Sequence, residues 1–171
     1  MKDSIHKYFQ IGTIQWMSHP PAEYELLDSI KTICCDDYFD ALEVTQIKDA
    51  FVREKAKEML EQAHMKVCYG AQPRLLGPGL NPNDINEEGR EKAERTLLEA
   101  VDEAEYLGAK GIAFLAGKWE KETREKAYLQ LIKTTENVCE YAASKGMSVE
   151  LEVFDYDMDK EALIGPAPYA A

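Results

Sequence analysis

The chain has 171 residues, with 20 basic and 32 acidic side chains and a formal net charge of -12. Hydrophobic residues make up 45% and charged residues 30%, the balance of a soluble globular protein rather than a disordered or fibrous one. Nucleic acid and anionic membrane surfaces both demand clustered Lys and Arg, which this acidic chain lacks, and no stretch approaches the roughly 18 apolar residues of a membrane span.

The opening MKDSIHKYFQ has no apolar core of a signal peptide, so a cytoplasmic location is expected. Phe9–Met17 reads as a first strand, and a short helix after Pro20-Pro21, prolines suited to its first turn, carries Leu26, Leu27, Ile30 and Ile33. Ala41–Ile47 reads as a second strand. After Asp49, a possible cap, Val52, Ala56, Met59, Leu60 and Ala63 fall on one helical face. Met65–Gly70 is the third strand candidate. The loop Ala71–Asn83, with Gly77-Pro78-Gly79 and Asn81-Pro82, is long enough for an active-site loop or lid.

Asp84 and Glu87 have capping-box spacing ahead of a helix with Ala93, Leu97, Val101, Ala104 and Leu107 on one stripe. Gly108 then supplies a C-cap, and Gly111–Ala116 follows as a fourth strand. The same form recurs once: a stripe from Tyr128 through Leu131, Val138 and Ala142, then Gly146, then a fifth strand at Val149–Phe154. Cys34, Cys35, Cys68 and Cys139 have no CxxC spacing and lie in apolar runs, so buried thiols are expected.

Strand and helix alternate from end to end, which predicts an α/β fold with a parallel sheet and right-handed crossovers. No linker or low-complexity stretch divides the chain, so residues 1–171 are read as one domain. An eight-fold barrel uses roughly 31 residues per βα unit. At that rate 171 residues make about five and a half units, matching five strands. In 41–47 and 149–153 carboxylates alternate with apolar residues. A barrel strand accepts that pattern, whereas a central strand of a doubly wound sheet is apolar on both faces. The expected fold is a partial (β/α) TIM barrel of about five parallel strands with alternating helices.

Two stretches carry a family resemblance. LGAKGIAFLAGK (107–118) resembles the fourth strand of the sugar phosphate isomerase/epimerase family, which has the xylose-isomerase-like TIM barrel. LEVFDYDMDKEALIGP (151–166) resembles its fifth strand and following loop, and the similarity runs in register from Phe9-Gln10-Ile11-Gly12 onward. The resemblance implies a metal-dependent sugar isomerase or epimerase that needs no nucleotide cofactor and acts on a small sugar or sugar phosphate. It also implies that the chain corresponds to the N-terminal part of the barrel. The family has three further βα units, whose strands supply an aspartate, a histidine and a second glutamate as metal ligands.

By the same resemblance Glu152 would bind a divalent ion, Mg or Mn, and take part in proton transfer next to a carbonyl. Glu43, in the equivalent inward phase of the second strand, is a candidate for a sugar hydroxyl, or for an ion pair with an inward cation. His19 lies beyond the first strand, at the end where barrel enzymes hold substrate. Lys118 and Lys160 follow the fourth and fifth strands; either could hold an anion or pair with Asp155 or Asp157. Trp16 and Trp119 sit at strand ends, suited to stacking on a sugar or to ordinary packing.

Other signals fail. Ile112–Lys118 imitates the end of a phosphate loop, but Ile112 stands where glycine is required and Trp119 where Ser or Thr is required. No GxGxxG follows the first strand. His6, His19 and His64 are too few and scattered for the multi-zinc site of the DNA-repair endonucleases that share the fold. Alternative readings are a non-catalytic, truncated or split barrel and an unrelated five-stranded binding domain. Five strands of a barrel leave two edges, so a homo-oligomer or pairing with a C-terminal half is expected.

Overall fold

Among the described residues five parallel strands lie in the order β1-β2-β3-β4-β5, each hydrogen-bonded to its sequence neighbours. The computed structural model describes residues 5–165; Pro166 and residues 167–171, where the resemblance and the expected tail end, lie outside them. The strands are β1 (Gly12–Ile14), β2 (Ala41–Val44), β3 (Lys66–Gly70), β4 (Gly111–Leu115) and β5 (Ser148–Glu152). Between them run α1 (Gln15–Ser18), α2 (Leu26–Cys34), α3 (Ala50–Gln62), α4 (Gln72–Leu76), α5 (Glu87–Tyr106) and α6 (Arg124–Ser144). Sequential parallel order is the order of a barrel wall. Among the described residues no helix is long and apolar enough to cross a membrane.

The helix-facing side of the sheet carries Leu42, Val44, Val67, Tyr69, Ile112 and Phe114, all buried against Ile30, Leu60, Leu97, Val101 and Val138 from the helices. The alternate positions Glu43, Cys68, Glu150 and Glu152 lie on the other, concave face, in register across the strands. Alternation along β2 therefore separates core from site.

The helix ends follow their chemistry. Asp49 caps α3 through a 2.9 Å bond from the Val52 N–H. Gly108 and Gly146 adopt left-handed φ of 84° and 68°. After each, the next N–H returns to the helix at 2.9 Å, Ala109 to the Ala104 carbonyl and Met147 to Ala142. A third junction has the same geometry without glycine: His64 sits at φ 54°, and Met65 N–H bonds Leu60 O at 3.0 Å.

Four expectations need correction. The first strand is not Phe9–Met17, because only Gly12–Ile14 pairs with β2. The chain then rolls into α1, where buried Gln15 donates to Ser29 Oγ at 2.8 Å. The prolines at 20 and 21 precede α2 by a turn rather than lying in its first turn. The cap of α5 is Asn86, whose side chain accepts from Glu88 N–H at 3.0 Å, while Asp84 makes an Asx turn onto Asn86 N–H at 2.8 Å. The thiols of Cys35 and Cys139 are exposed, and those of Cys34 and Cys68 only partly covered; a single apolar neighbourhood in sequence did not define the buried side of the helix.

Candidate active site

The C-terminal ends of β1, β2, β3 and β5 bring Trp16, Glu43, Gly70, Gln72 and Glu152 together. The β3 backbone continues past Gly70 when Ala71 N–H donates to Ala113 O at 2.8 Å. The chain then turns into α4, which places Gln72 at the mouth. There its amide nitrogen donates to Glu152 Oε2 at 2.6 Å. A Cβ built on Gly70 would stand 2.5 Å from Glu43 Oε1, 2.6 Å from Gln72 Oε1 and 2.6 Å from Trp16 Cη2. Only the absence of a side chain at Gly70 lets these three side chains close onto the backbone at this point.

The surroundings are acidic. Partial burial, then the charges of Glu152 and Glu150, push the Glu43 carboxyl above its ordinary range. The alternative of an ion pair at Glu43 is not seen among the described residues; the charges that act on it most are the carboxylates of Glu152 and Glu150. Deeper on the same concave face, a cavity of about 260 Å³ is lined by Glu43, Lys66, Cys68, Lys110, Ser148 and Glu150. Burial, then Glu43, also raises the Cys68 thiol, keeping it protonated and unreactive.

A buried network fixes α4 behind the mouth. Tyr69 Oη donates to Glu103 Oε2 at 2.9 Å, and Arg74 donates to the same oxygen at 3.0 Å. The other oxygen, Glu103 Oε1, accepts from Ile47 N–H at 2.8 Å. The segment after β2, the end of β3, α4 and α5 are thereby tied at one carboxylate. Burial, then the Glu103 charge, raises the Tyr69 phenol, so it stays a donor.

His19 lies elsewhere on the β1 side. Its ring packs edge-on against Tyr24 at 4.8 Å, and its Nδ1 lies 3.1 Å from Ser18 Oγ. Lys118 is at the rim, exposed and bonded to Glu161 at 2.6 Å. It lines a separate cleft of about 470 Å³ with Asn81, Asn83, Trp119, Tyr156 and Glu161. Asn81 and Asn83 each donate to the Lys118 carbonyl at 2.9 Å, clipping the loop before α5 to the end of β4.

Lys160 pairs with Asp159 at 2.6 Å. Neither lysine takes Asp155 as its side-chain partner. The Asp155 carboxylate accepts instead from the backbone N–H groups of residues 158–161. Although desolvation acts against it, those bonds hold Asp155 below its ordinary range. Trp119 packs on the core beneath the Arg124 guanidinium. Gly70 and Gln72 were missed as site residues; their signal was position, since both fall where the third strand ends.

The donors present do not make a metal site by themselves: among the described residues no three His, Cys, Asp or Glu side chains converge to hold an ion. Glu152 supplies one carboxylate, whereas a magnesium-type site needs about six oxygen ligands.

A parallel wall in sequential strand order, with a polar cluster at its C-terminal ends, is the arrangement of a (β/α) barrel. The chain belongs to the xylose isomerase-like TIM barrel family, whose model matches residues 30–160. No curated protein matches it in sequence.

Among solved structures, it is similar to a D-tagatose 3-epimerase-like protein at 16% identity and TM-score 0.72, covering 89% of this chain and 55% of that one. It is similar to a family 2 AP endonuclease from Brucella melitensis at 14% identity and TM-score 0.70, covering 91% and 60%. A xylose isomerase-like TIM barrel protein from Mycobacterium smegmatis in complex with magnesium matches at 13% identity and TM-score 0.55, covering 84% and 50%. The chain thus spans about half the length of the solved structures it matches. At these identities the likeness shows the fold, a partial TIM barrel.

Proposed function

We propose that the chain is the N-terminal part of a sugar or sugar phosphate isomerase or epimerase, with Glu152 as its proton-transferring carboxylate. The observation that carries this reading is the position of Glu152 at the end of β5, bonded by Gln72 at 2.6 Å and near enough to Glu43 for its charge to raise that carboxyl. The substrate carbon next to a carbonyl gives its proton to a Glu152 oxygen, and the C–H electron pair forms the C=C bond of an enediolate as the carbonyl π pair moves onto oxygen. In an isomerisation the Glu152 carboxyl returns that proton to the former carbonyl carbon while the hydroxyl proton passes between the two oxygens; in an epimerisation a second acid of the complete barrel returns a proton to the opposite face of the first carbon. Glu43, more readily protonated than an ordinary glutamate, serves as a hydrogen-bonding partner of a sugar hydroxyl rather than as a second base.

His19 and Lys118 are assigned to the rim, for the far end of a longer or anionic substrate. In a complete barrel Glu152 would be one ligand of a Mg or Mn ion, with the others from further strands. The magnesium complex of a structural neighbour supports such a site. The net charge of -12 favours a small sugar over the nucleic acid of an endonuclease. Four free thiols suit a reducing, cytoplasmic setting.

A second reading rests on the missing ligand cluster: the chain is a non-catalytic barrel piece that assembles with another copy or with a C-terminal half. One experiment separates the two. An aldose–ketose and epimer interconversion assay is run on the chain alone, on the chain complemented by a C-terminal half, and on the complemented Glu152→Gln protein. Activity only on complementation, abolished by Glu152→Gln with the fold intact, supports the catalytic reading. Full activity in Glu152→Gln removes the assignment of Glu152, and no activity in any form supports the second reading.

A further inference from the structure

The cleft of about 470 Å³ at the rim lies between the end of β4, the loop before α5 and the loop after β5. Its size falls within the roughly 300–1,000 Å³ of small-molecule sites. Leu115 pairs with Glu152 across the sheet, and Lys118, at the edge of the cleft, follows three residues later. Three residues span at most about 11 Å of backbone. The cleft therefore lies beside Glu152, at the same end of the strands.

Its walls are held in place by the protein itself. Gly117 N–H donates to Asn83 Oδ1 at 2.6 Å, and the Gly117 carbonyl accepts from Leu163 N–H at 3.0 Å. The Asn81 and Asn83 amides both donate to the next carbonyl, that of Lys118, so three loops meet at one dipeptide. Two glycines permit the meeting. A Cβ on Gly117 would collide with the Asn81 side chain, and one on Gly165 would stand 2.5 Å from Tyr156 Cβ. Tyr156 therefore lies close against the chain as one wall while its side chain stays exposed, and Trp119, anchored on the core, forms another. Walls fixed in advance spare a ligand the cost of ordering them.

The lining selects the chemistry of its ligand. Lys118 and Lys121 stand among Asp84, Glu120 and Glu161, and Lys118 is already bonded to Glu161 at 2.6 Å. Two cations among three carboxylates give no positive field for a phosphate. An apolar ligand would strip water from those charges and return nothing. A neutral ring with several hydroxyls satisfies both halves of the lining. Its hydroxyls donate to carboxylates and accept from ammonium groups, and its C–H surface lies against the aromatic walls. We propose that this cleft is a second sugar subsite, which takes the neutral outer ring of a disaccharide while the reacting ring lies at Glu152. This rests on the reading of the mouth as a sugar site, and of the two far ends assigned to Lys118 it selects the longer, uncharged one.

The chain has two tryptophans, Trp16 at the mouth and Trp119 in the cleft. Labelling the full chain with 5-fluorotryptophan thus puts one fluorine NMR reporter in each place, and Trp16→Phe assigns the two signals. The probes share a D-fructose unit: D-fructose itself, the disaccharides lactulose, maltulose and isomaltulose, and fructose 6-phosphate. D-fructose is expected to shift the Trp16 signal alone. At least one disaccharide is expected to shift both signals and to bind about tenfold more tightly than D-fructose, the gain of about one net hydrogen bond. Tyr156→Ala, at an exposed side chain, should bring that disaccharide down to the affinity of D-fructose. Lys118→Met should do the same, and it keeps the test open should Tyr156→Ala disturb the loop.

Disaccharides that move only the Trp16 signal, or that keep their advantage in both variants, overturn the proposal and leave the sugar reading of the mouth standing. Fructose 6-phosphate that shifts the Trp119 signal and binds more tightly than every disaccharide overturns it in favour of an anion site. A shift of the Trp119 signal without the Trp16 signal also overturns it, because the cleft then works apart from the mouth. No shift of either signal with any probe removes the sugar reading, and the proposal with it.

Discussion

Arg74 and Glu103 meet at 3.0 Å with both side chains more than nine-tenths buried, and the Glu103 carboxylate also accepts from Tyr69 and from the Ile47 backbone. A charge so enclosed depends on its partners: without Glu103, the counter-ion left to Arg74 is Glu99, at 3.1 Å and largely exposed, while the Tyr69 hydroxyl and the Ile47 N–H lose their acceptor. Glu103→Leu should lower stability by about 3–5 kcal/mol in urea denaturation. The double variant Arg74→Met/Glu103→Leu should lose clearly less than the two single losses added together. Strict additivity would show that the pair is not coupled.

Acid should weaken the contact between α5 and α6. Arg90, then Lys133 and Gln130, bond to Glu87 and hold its carboxyl at about 2, against an ordinary 4.5. A carboxyl lowered by folding adds stability above its unfolded value, and that contribution fades as pH falls toward the folded value. Wild type should therefore be more stable than Glu87→Gln above pH 5, with the difference shrinking from about pH 4.5 down to pH 2. Urea midpoints across that range check it; a difference independent of pH would contradict it.

His64 occupies a left-handed position that Gly108 and Gly146 hold at the equivalent junctions. A side chain there is strained, and glycine gives back part of the gain through its freer unfolded state. His64→Gly should stabilise by about 1 kcal/mol and raise Tm by about 3 °C. The side chain is exposed, so no packing is lost. Calorimetry showing no rise would mean that the histidine ring contributes something its position does not reveal.

Mn titration should find only weak binding to the chain alone, with a dissociation constant on the order of millimolar, since one carboxylate and a surrounding of water hold a divalent ion loosely. Addition of a chelator should leave the melting temperature unchanged. Micromolar affinity would mean that the described residues converge on an ion more closely than their geometry allows.

Association is expected along the flank of α6 and β5. Leu129 is 66% and Val153 52% exposed, and an apolar groove of about 250 Å³ runs between Tyr128, Leu131, Ile132, Leu151 and Ile164. Light scattering should show a dimer or larger species, or a dye-binding monomer that a C-terminal half converts to a complex. A stable monomer without dye binding would count against both forms of assembly.

Periodicity located every long helix and all five strands because those elements bury one face: the stripe from Ala93 to Leu107 is the buried side of α5, and Leu42 and Val44 are the buried side of β2. The same alternation placed Glu43 and Glu152 on the concave face. What could not be read was local and three-dimensional. Trp16 reaches Gly70 only because the first strand ends early and curls, under a buried bond between Gln15 and Ser29. Gln72 meets Glu152 across 80 positions of sequence, a pairing made by strand order and the turn after β3. Lys118 and His19 lie at the predicted end of the fold, and their neighbours Glu161 and Tyr24 came from loops without a pattern.

Because every strand pairs only with the strand before and after it in the chain, the sheet can be built in the order of synthesis. β1 and β2 with their crossover can pair before β4 exists, and each new βα unit adds to an edge that is already formed. No early strand waits for a distant one, and the loop closed at each step stays one crossover of one or two helices long, which keeps its entropic cost low. The mouth is different: Glu152, on β5, meets Gln72 only when that strand docks, so the contact across the site forms after the strands that carry Glu43 and Gly70 are already paired.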